Sequence, residues 1–146
     1  MDPRRGIEGV EGNSEAMFLM DDMIIKAKVA SSICTGGVSV VGFADDDTNP
    51  SAYLTLQREV SPHKGQHQGE YYVELNGQQY GAHGGVLKCE ISPARLVLTV
   101  DPRQTRIPAT TICVLSDTNE SQWADACRAV EVLFKGTGVV VTSSET

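Results

Sequence analysis

The chain has 146 residues, of which 40% are hydrophobic and 21% charged, with a net charge of −7 and a pI near 4.8. This length predicts one domain with one core, and the composition excludes collagen, coiled coils and wholesale disorder. The 12 Lys and Arg residues are dispersed, so the acidic chain would repel nucleic-acid phosphates and suits a basic protein partner.

The sequence predicts a reducing compartment, because it shows no secretion signal and its cysteines are widely spaced. Arg4 and Arg5 are followed by Gly and Glu residues, where a signal peptide would have an apolar segment. No stretch reaches the roughly 18 apolar residues of a membrane span. The four cysteines form no C-x-x-C pair, which predicts free thiols in a cytoplasmic protein without membrane contact, with Cys89 and Cys127 in the core.

The pattern of hydrophobicity divides the chain into three parts. Residues 1–16 contain several glycines and glutamates and show no hydrophobic periodicity, which predicts a mobile tail. Residues 17–142 read as a single α+β domain, and residues 143–146 as a frayed C-terminus.

Alternating apolar residues predict strands along most of the domain. Val38 to Phe43 is apolar on both faces and is typical of a central strand covered on both sides. Asp45 to Pro50 is a loop because Asp and Asn form local turns and Pro breaks strands. The other predicted strands are Met23 to Val29, Tyr53 to Arg58, Leu87 to Ile91, Arg95 to Val100, Thr110 to Leu115 and Val139 to Val141.

Asn76-Gly77 lies between two alternating runs and predicts a two-residue hairpin turn, because both turn residues need positive φ. The resulting register sets Val73 opposite Tyr80. Tyr71, Val73, Leu75 and Tyr80 then share the apolar face, while Tyr72 and Glu74 lie on the polar face. Gly81, Gly84 and Gly85 indicate a bulge, a bend or a close backbone approach after the hairpin.

One helix is predicted near the C-terminus. Asp117 or Thr118 would cap its start, with Glu120 as the capping-box partner, and Gly136 would end it. Its apolar residues form one stripe: Trp123, Ala126, Cys127, Val130, Leu133 and Phe134. The expected fold is α+β, a mainly antiparallel sheet of about seven strands in a meander of hairpins with this amphipathic helix on one face.

No motif in the sequence predicts catalysis. Asp45 to Asp47 would offer oxygen ligands to calcium but lack the glycine and distal glutamate of an EF-hand loop, so a solvated or partner-facing loop is favoured. His63 and His67 have metal-ligand spacing only if helical, and Gly and Pro in Ser61 to Gly69 disfavour a helix. His83 has no nucleophile in a catalytic context.

Four short segments, in order and spacing, resemble the immunity protein 10 family (Imm10) of bacterial polymorphic toxin systems. They are Gly42 to Asp46, Tyr53 to Arg58, Tyr72 to Gln78 and Tyr80 to Gly85, within a match from about Met20 to Phe134. The resemblance implies a cytosolic immunity protein that binds and neutralises a cognate toxin domain, without catalysis, cofactor or metal.

Because acidic surfaces attract basic partners, the toxin is expected to present a basic surface to an acidic face of this chain. The predicted contact residues are Asp45, Asp46, Asp47, Glu70, Tyr72 and Glu74. Two alternatives stay open: a small-molecule-binding α+β module, which needs an apolar pocket, and a hydrolase or metal-binding protein that uses His83 or the His63 and His67 pair.

Overall fold

The structure is a computed structural model that describes residues 22–59 and 70–144. The predicted N-terminal tail and the loop with His63 and His67 lie outside the described residues, and the domain boundaries remain predictions. In chain order the elements are β1 (Asp22–Ala27), β2 (Val29–Thr35), β3 (Val38–Ala44), β4 (Tyr53–Glu59), β5 (Tyr72–Leu75), a 3-10 turn (Gln78–Tyr80), β6 (Gly81–His83), β7 (Val86–Ile91), β8 (Arg95–Val100), β9 (Thr111–Ser116), α1 (Glu120–Leu133) and β10 (Val140–Ser143).

The strands form two five-stranded sheets. Sheet I has the order β10-β7-β8-β9-β1, and sheet II has the order β2-β3-β4-β5-β6. All neighbours are antiparallel except β1 with β9 and β7 with β10, which are parallel. The predicted α+β class, mainly antiparallel with a C-terminal helix, is confirmed. The described residues hold ten strands in two sheets, where one sheet of about seven was expected.

A break at Lys28 explains the second sheet. The predicted strand from Met23 to Val29 is two strands, since Lys28 forms a bend between β1 in sheet I and β2 in sheet II. Ile25 and Ala27 are buried as expected, but Val29 belongs to the next strand. Alternation identifies the buried face of a strand but does not reveal that the chain changes sheets.

Helix α1 begins at the cap residue Asn119, not at the predicted Asp117 or Thr118. The Asn119 Oδ1 atom accepts a hydrogen bond of 2.7 Å from the Gln122 amide, which satisfies a backbone donor of the first turn. The predicted apolar stripe is confirmed, because all six of its residues are buried. It packs against β2, β3 and β4 of sheet II.

Both sheets and the helix share one core. The Trp123 ring lies 5.5 Å from the Phe43 ring of β3, while its Nε1 donates a hydrogen bond of 3.0 Å to the carbonyl of Ser92 in the β7–β8 turn. Arg58 of β4 donates to the carbonyls of Leu133 and Lys135 at 2.8 and 2.6 Å. A cation at this end of a helix satisfies orphan carbonyls, so Arg58 fixes α1 to sheet II.

The predicted two-residue hairpin at Asn76-Gly77 is wrong in register. Asn76 has a φ of +60°, as expected, but its amide donates to the Tyr53 carbonyl at 3.0 Å and its Oδ1 accepts from the Tyr53 amide at 2.7 Å. These bonds hold Asn76 beside β4, and the 3-10 turn follows before β6 begins. Val73 therefore pairs with Ala82, and Tyr80 is exposed.

Two further predictions, the inward face of one strand and the bounds of the last strand, are corrected by the structure. In the predicted strand from Leu87 to Ile91, strict alternation puts Leu87 on the same face as the core residue Cys89. A bulge between Val86 and Lys88 instead leaves Leu87 51% exposed, while Val86 is buried. A bulge shifts the alternation of inward and outward side chains by one residue. The last strand spans Val140–Ser143 rather than Val139 to Val141.

Candidate interaction surface

The outer face of sheet II is the face opposite the helix. Leu54 and Leu56 of β4 and Val73 of β5 point into the core, so the residues that alternate with them point outward. Among the described residues, no helix or strand packs over this face. The prediction that β3 is covered on both sides is therefore wrong: Val41 and Phe43 are buried, whereas Val40 stays partly exposed.

A shallow trough lies on the outer face along β2, β3 and β4. Its floor is formed by three register partners, one from each of these strands: Ser31, Gly42 and Thr55. On β5 and β6 the same row continues with Glu74 and Gly81, where the Tyr72 side chain lies over Gly81. Gly42 contributes no side chain to this row, and the concavity around it has a volume of about 290 Å³. Tyr53 and the acidic residues Asp46 and Asp47 also line that concavity. The trough is thus bounded by one aromatic residue and two acidic residues.

Tyr53, Tyr72 and Glu74 form a tyrosine–glutamate cluster beside the trough. The Tyr72 hydroxyl donates to Glu74 Oε1 at 2.7 Å, and the Tyr53 hydroxyl donates to Glu74 Oε2. A methyl group at Gly81 would lie 2.3 Å from the Tyr72 hydroxyl oxygen. Only glycine leaves room for this ring position, so Gly81 helps to set the cluster's geometry.

The cluster changes the acidity of its tyrosines. The hydrogen bond to Glu74, followed by burial, raises the pKa of Tyr53 from 10.0 to about 12. The same carboxylate raises the pKa of Tyr72, whereas the pKa of Tyr71 is raised mainly by burial. Each hydroxyl keeps its proton mainly because that proton makes the hydrogen bond to Glu74, and repulsion between a tyrosinate and the carboxylate adds a smaller effect.

We expect Glu74→Gln to lower the pKa of Tyr53 and Tyr72 toward 10.0, while that of Tyr71 stays raised. The contribution of Tyr53 to the free energy of unfolding is present below pH 10.0 and is lost as the pH rises toward about 12. NMR titration of the tyrosine Cζ resonances measures each group separately. Glu90→Gln on sheet I is the matched control, and equal effects of both variants would contradict this assignment.

The acidic loop after β3 has a folded internal structure. Asp45 Oδ1 accepts from the Ser51 and Ala52 amides at 2.9 and 3.2 Å, and Asp46 Oδ2 accepts from the Thr48 and Asn49 amides at 3.2 and 2.9 Å. The pKa of Asp45 is lowered mainly by the Ser51 hydroxyl, which donates to its Oδ2 at 2.5 Å, and then by the two amides. The amides of Asn49 and Thr48 lower the pKa of Asp46, so both carboxyl groups are charged at neutral pH. The predicted loop is confirmed, and Asp45 serves mainly to close it.

The six predicted contact residues are not all brought together. Asp46 and Asp47 line the trough, and Tyr72 and Glu74 lie on the same face. Glu70 instead lines a separate concavity of about 320 Å³ near Gly84 and Gly85. His83 is exposed, with its ring 5.2 Å from that of Tyr72.

Tyr53 and Gly42 belong to this surface but were not among the predicted contact residues. Both were placed in strands, but a strand pattern does not show which residues become neighbours across the sheet. The alternation of Tyr53 with Leu54 and Leu56 did indicate that its side chain points outward. That Gly42 and Tyr53 share a face with Glu74 follows from the observed order and register of β3, β4 and β5.

Chemical groups elsewhere in the described ranges form no cluster of three or more His, Cys, Asp or Glu side chains that would hold a metal ion. None of the helices described is long and apolar enough to cross a membrane.

All four cysteines carry free thiols, and burial raises the pKa of Cys89 to about 12 and that of Cys127 to about 11. At neutral pH these two buried thiols are protonated and behave as apolar core groups.

Comparison with known proteins identifies one family. The family model described as immunity protein 10 matches residues 26–121, about two thirds of the chain. This range includes all of sheet II as described and ends as α1 begins. No curated protein and no solved structure matches the chain. The match over most of the domain shows that this chain belongs to the immunity protein 10 family.

Proposed function

We propose that this protein binds a cognate bacterial toxin domain and neutralises it by occupying its surface, without catalysing a reaction. Membership of an immunity-protein family carries the proposal. The net charge of −7 supports a basic toxin surface as the binding partner. The four free thiols support action in the reducing cytoplasm of the producing cell.

Among the described surfaces, the outer face of sheet II supports this function best. Its outward strand positions carry the acidic residues Glu59 and Glu74 and no Lys or Arg, because Arg58 turns inward to α1. Asp46 and Asp47 add negative charge at the rim, although Lys28 lies near enough to Asp46 to help lower its pKa. The face combines negative charge with two tyrosines, a residue type enriched in interface anchors.

The direct test is coexpression with the toxin domain encoded by the neighbouring gene. We expect the protein to restore growth of cells that express the toxin, and the two purified proteins to elute as a complex from a size-exclusion column. Growth arrest that persists despite soluble expression of this protein, with no complex formed, would refute the proposed function.

Removing charge at the trough rim should slow toxin association. For the double variant Asp46→Asn and Asp47→Asn, we expect the association rate constant at low salt to fall about tenfold, because electrostatic steering is lost. Asparagine at position 46 still accepts the loop hydrogen bonds, so folding should be preserved. Stopped-flow measurement at several salt concentrations tests this.

The matched control removes two negative charges elsewhere, with Glu90→Gln on β7 and Asp125→Asn on α1. Its association rate should stay close to that of the unchanged protein. If both double variants lose rate equally, net charge rather than the trough rim steers the toxin.

A further inference from the structure

The proposed function leaves open which face meets the toxin and what chemistry that face recognises. We infer that the trough on the outer face of sheet II receives one basic side chain, an arginine or lysine, from the toxin domain. This inference rests on the proposed function and adds the binding surface and the class of group bound.

The shape of the trough suits a long, narrow side chain. Its floor at Gly42 is open, since a Cβ atom there would only touch Ser31 Oγ at 3.7 Å and the Leu54 carbonyl at 4.0 Å. Beside the floor, Val40 and Ala44 of β3 provide partly exposed apolar contacts. The methylene stem of an Arg or Lys side chain packs well on such a surface while its charged head reaches beyond it.

The walls of the trough suit a cation. Tyr53 lies at one side, and its hydroxyl is held by Glu74, so its ring has a fixed position. A cation over or beside a tyrosine ring is stabilised by the ring's quadrupole. The acidic residues Asp46 and Asp47 line the same concavity. Glu74 adds a further negative charge beside Thr55 on the floor.

Glu74 acts here as a positioning residue as well as a charge. Its two oxygens accept from Tyr53 and Tyr72, so the carboxylate spans both aromatic rings. Without it, the rings lose their common anchor. Glu74→Gln should therefore weaken binding of a cation and lower the tyrosine pKa values together, a pairing that a purely structural role would not produce.

The first experiment does not need the toxin. The isotope-labelled full chain is titrated with N-acetyl-argininamide, N-acetyl-lysinamide and the neutral isostere N-acetyl-citrullinamide, and amide shifts are followed by NMR. We expect millimolar binding of the two cationic probes, with shifts at Ser31, Gly42 and Thr55, and none with citrulline. Equal shifts with citrulline, or shifts elsewhere only, would overturn the inference.

The second experiment blocks the trough. Gly42 has no left-handed φ, and a branched residue suits a strand, so Gly42→Val should leave the melting temperature unchanged or higher. We expect it to abolish binding of the arginine probe and to weaken toxin binding by about tenfold or more, the loss typical of an interface anchor. Thr35→Val, on the same face but two rows away, should change neither.

The outcomes separate the two proposals. If the unchanged protein fails to bind the toxin, the proposed function is wrong whatever the probes show. If it binds the toxin and Gly42→Val binds equally well, the trough is not the binding site. If Gly42→Val alters resonances of residues 1–21 while the cationic probes have no effect, that segment of the same chain occupies the trough and the inference is overturned.

Discussion

Trp123→Ala is expected to lower the free energy of unfolding by about 3–5 kcal/mol, the range for truncating a large buried aromatic residue. Trp123 is only 3% exposed and contacts sheet II and the β7–β8 turn of sheet I. Its ring packs on Phe43 of sheet II, and its Nε1 bonds to the Ser92 carbonyl beside sheet I. The substitution therefore opens a cavity and also leaves a carbonyl without its partner.

Two companion variants separate these effects. Trp123→Phe keeps most of the ring but loses the hydrogen bond, and should cost about 1–2 kcal/mol. Val132→Ala, at a helix position 61% exposed, should change stability by less than about 0.5 kcal/mol. Urea unfolding should be followed by circular dichroism. The chain has one tryptophan, so tryptophan fluorescence is lost in both Trp123 variants. A Trp123→Ala protein nearly as stable as the unchanged one would show that Trp123 does not hold α1 between sheet II and the β7–β8 turn.

Local elements of this fold could be predicted because their signals are local. The stripe from Trp123 to Phe134 repeats with helical periodicity, and every residue in it is buried. The strand at Leu54 and Leu56 was equally clear from its alternation. In both cases the side chains that face the core identify the element without reference to any other part of the chain.

The division into two sheets could not be predicted in this way. It depends on a bend at one residue, Lys28, and on the parallel pairing of β1 with β9, which joins residues about ninety positions apart. The hairpin error had a similar origin. Asn76-Gly77 has the composition of a two-residue turn, but the pairing of Asn76 with Tyr53 on another strand displaces the turn. Tertiary pairing therefore overrode a strong local preference.

The candidate surface could be predicted only in part, because alternation along one strand shows which side chains point outward but not which strands lie next to each other. Alternation placed Tyr72 and Glu74 on the outward face, and the structure agrees. Nothing in the sequence linked them to Tyr53 or Gly42, since that link arises from strand order and register. Glu70, two residues before Tyr72, was expected beside them but lines a different concavity.

Gly85→Ala is expected to lower the free energy of unfolding by about 2–5 kcal/mol, through backbone strain and overpacking. Gly85 has a φ of +94°, and a Cβ atom there would lie 2.4 Å from the Thr105 Cγ2 atom. The Gly85 carbonyl also accepts a hydrogen bond of 2.8 Å from the Asp101 amide. The close approach thus joins the start of β7 to the loop after β8.

Gly84→Ala is the matched control. Gly84 has a similar φ of +88°, but no atom would lie within 4 Å of its new Cβ. Its cost should be the backbone strain alone, about 1–2 kcal/mol. The difference between the two variants, measured by chemical denaturation, isolates the contact with Thr105.

Thr105→Ser should relieve that contact in the Gly85→Ala background. Serine lacks the Cγ2 methyl group but keeps the hydroxyl, which donates to the Asp101 carbonyl and accepts from the Ile107 amide, both at 3.3 Å. We expect the double variant to be less destabilised than the sum of its two single variants, by about 1–3 kcal/mol of coupling. Strict additivity would mean that Gly85 is required for its backbone conformation alone, and that the approach of the two loops is incidental to stability.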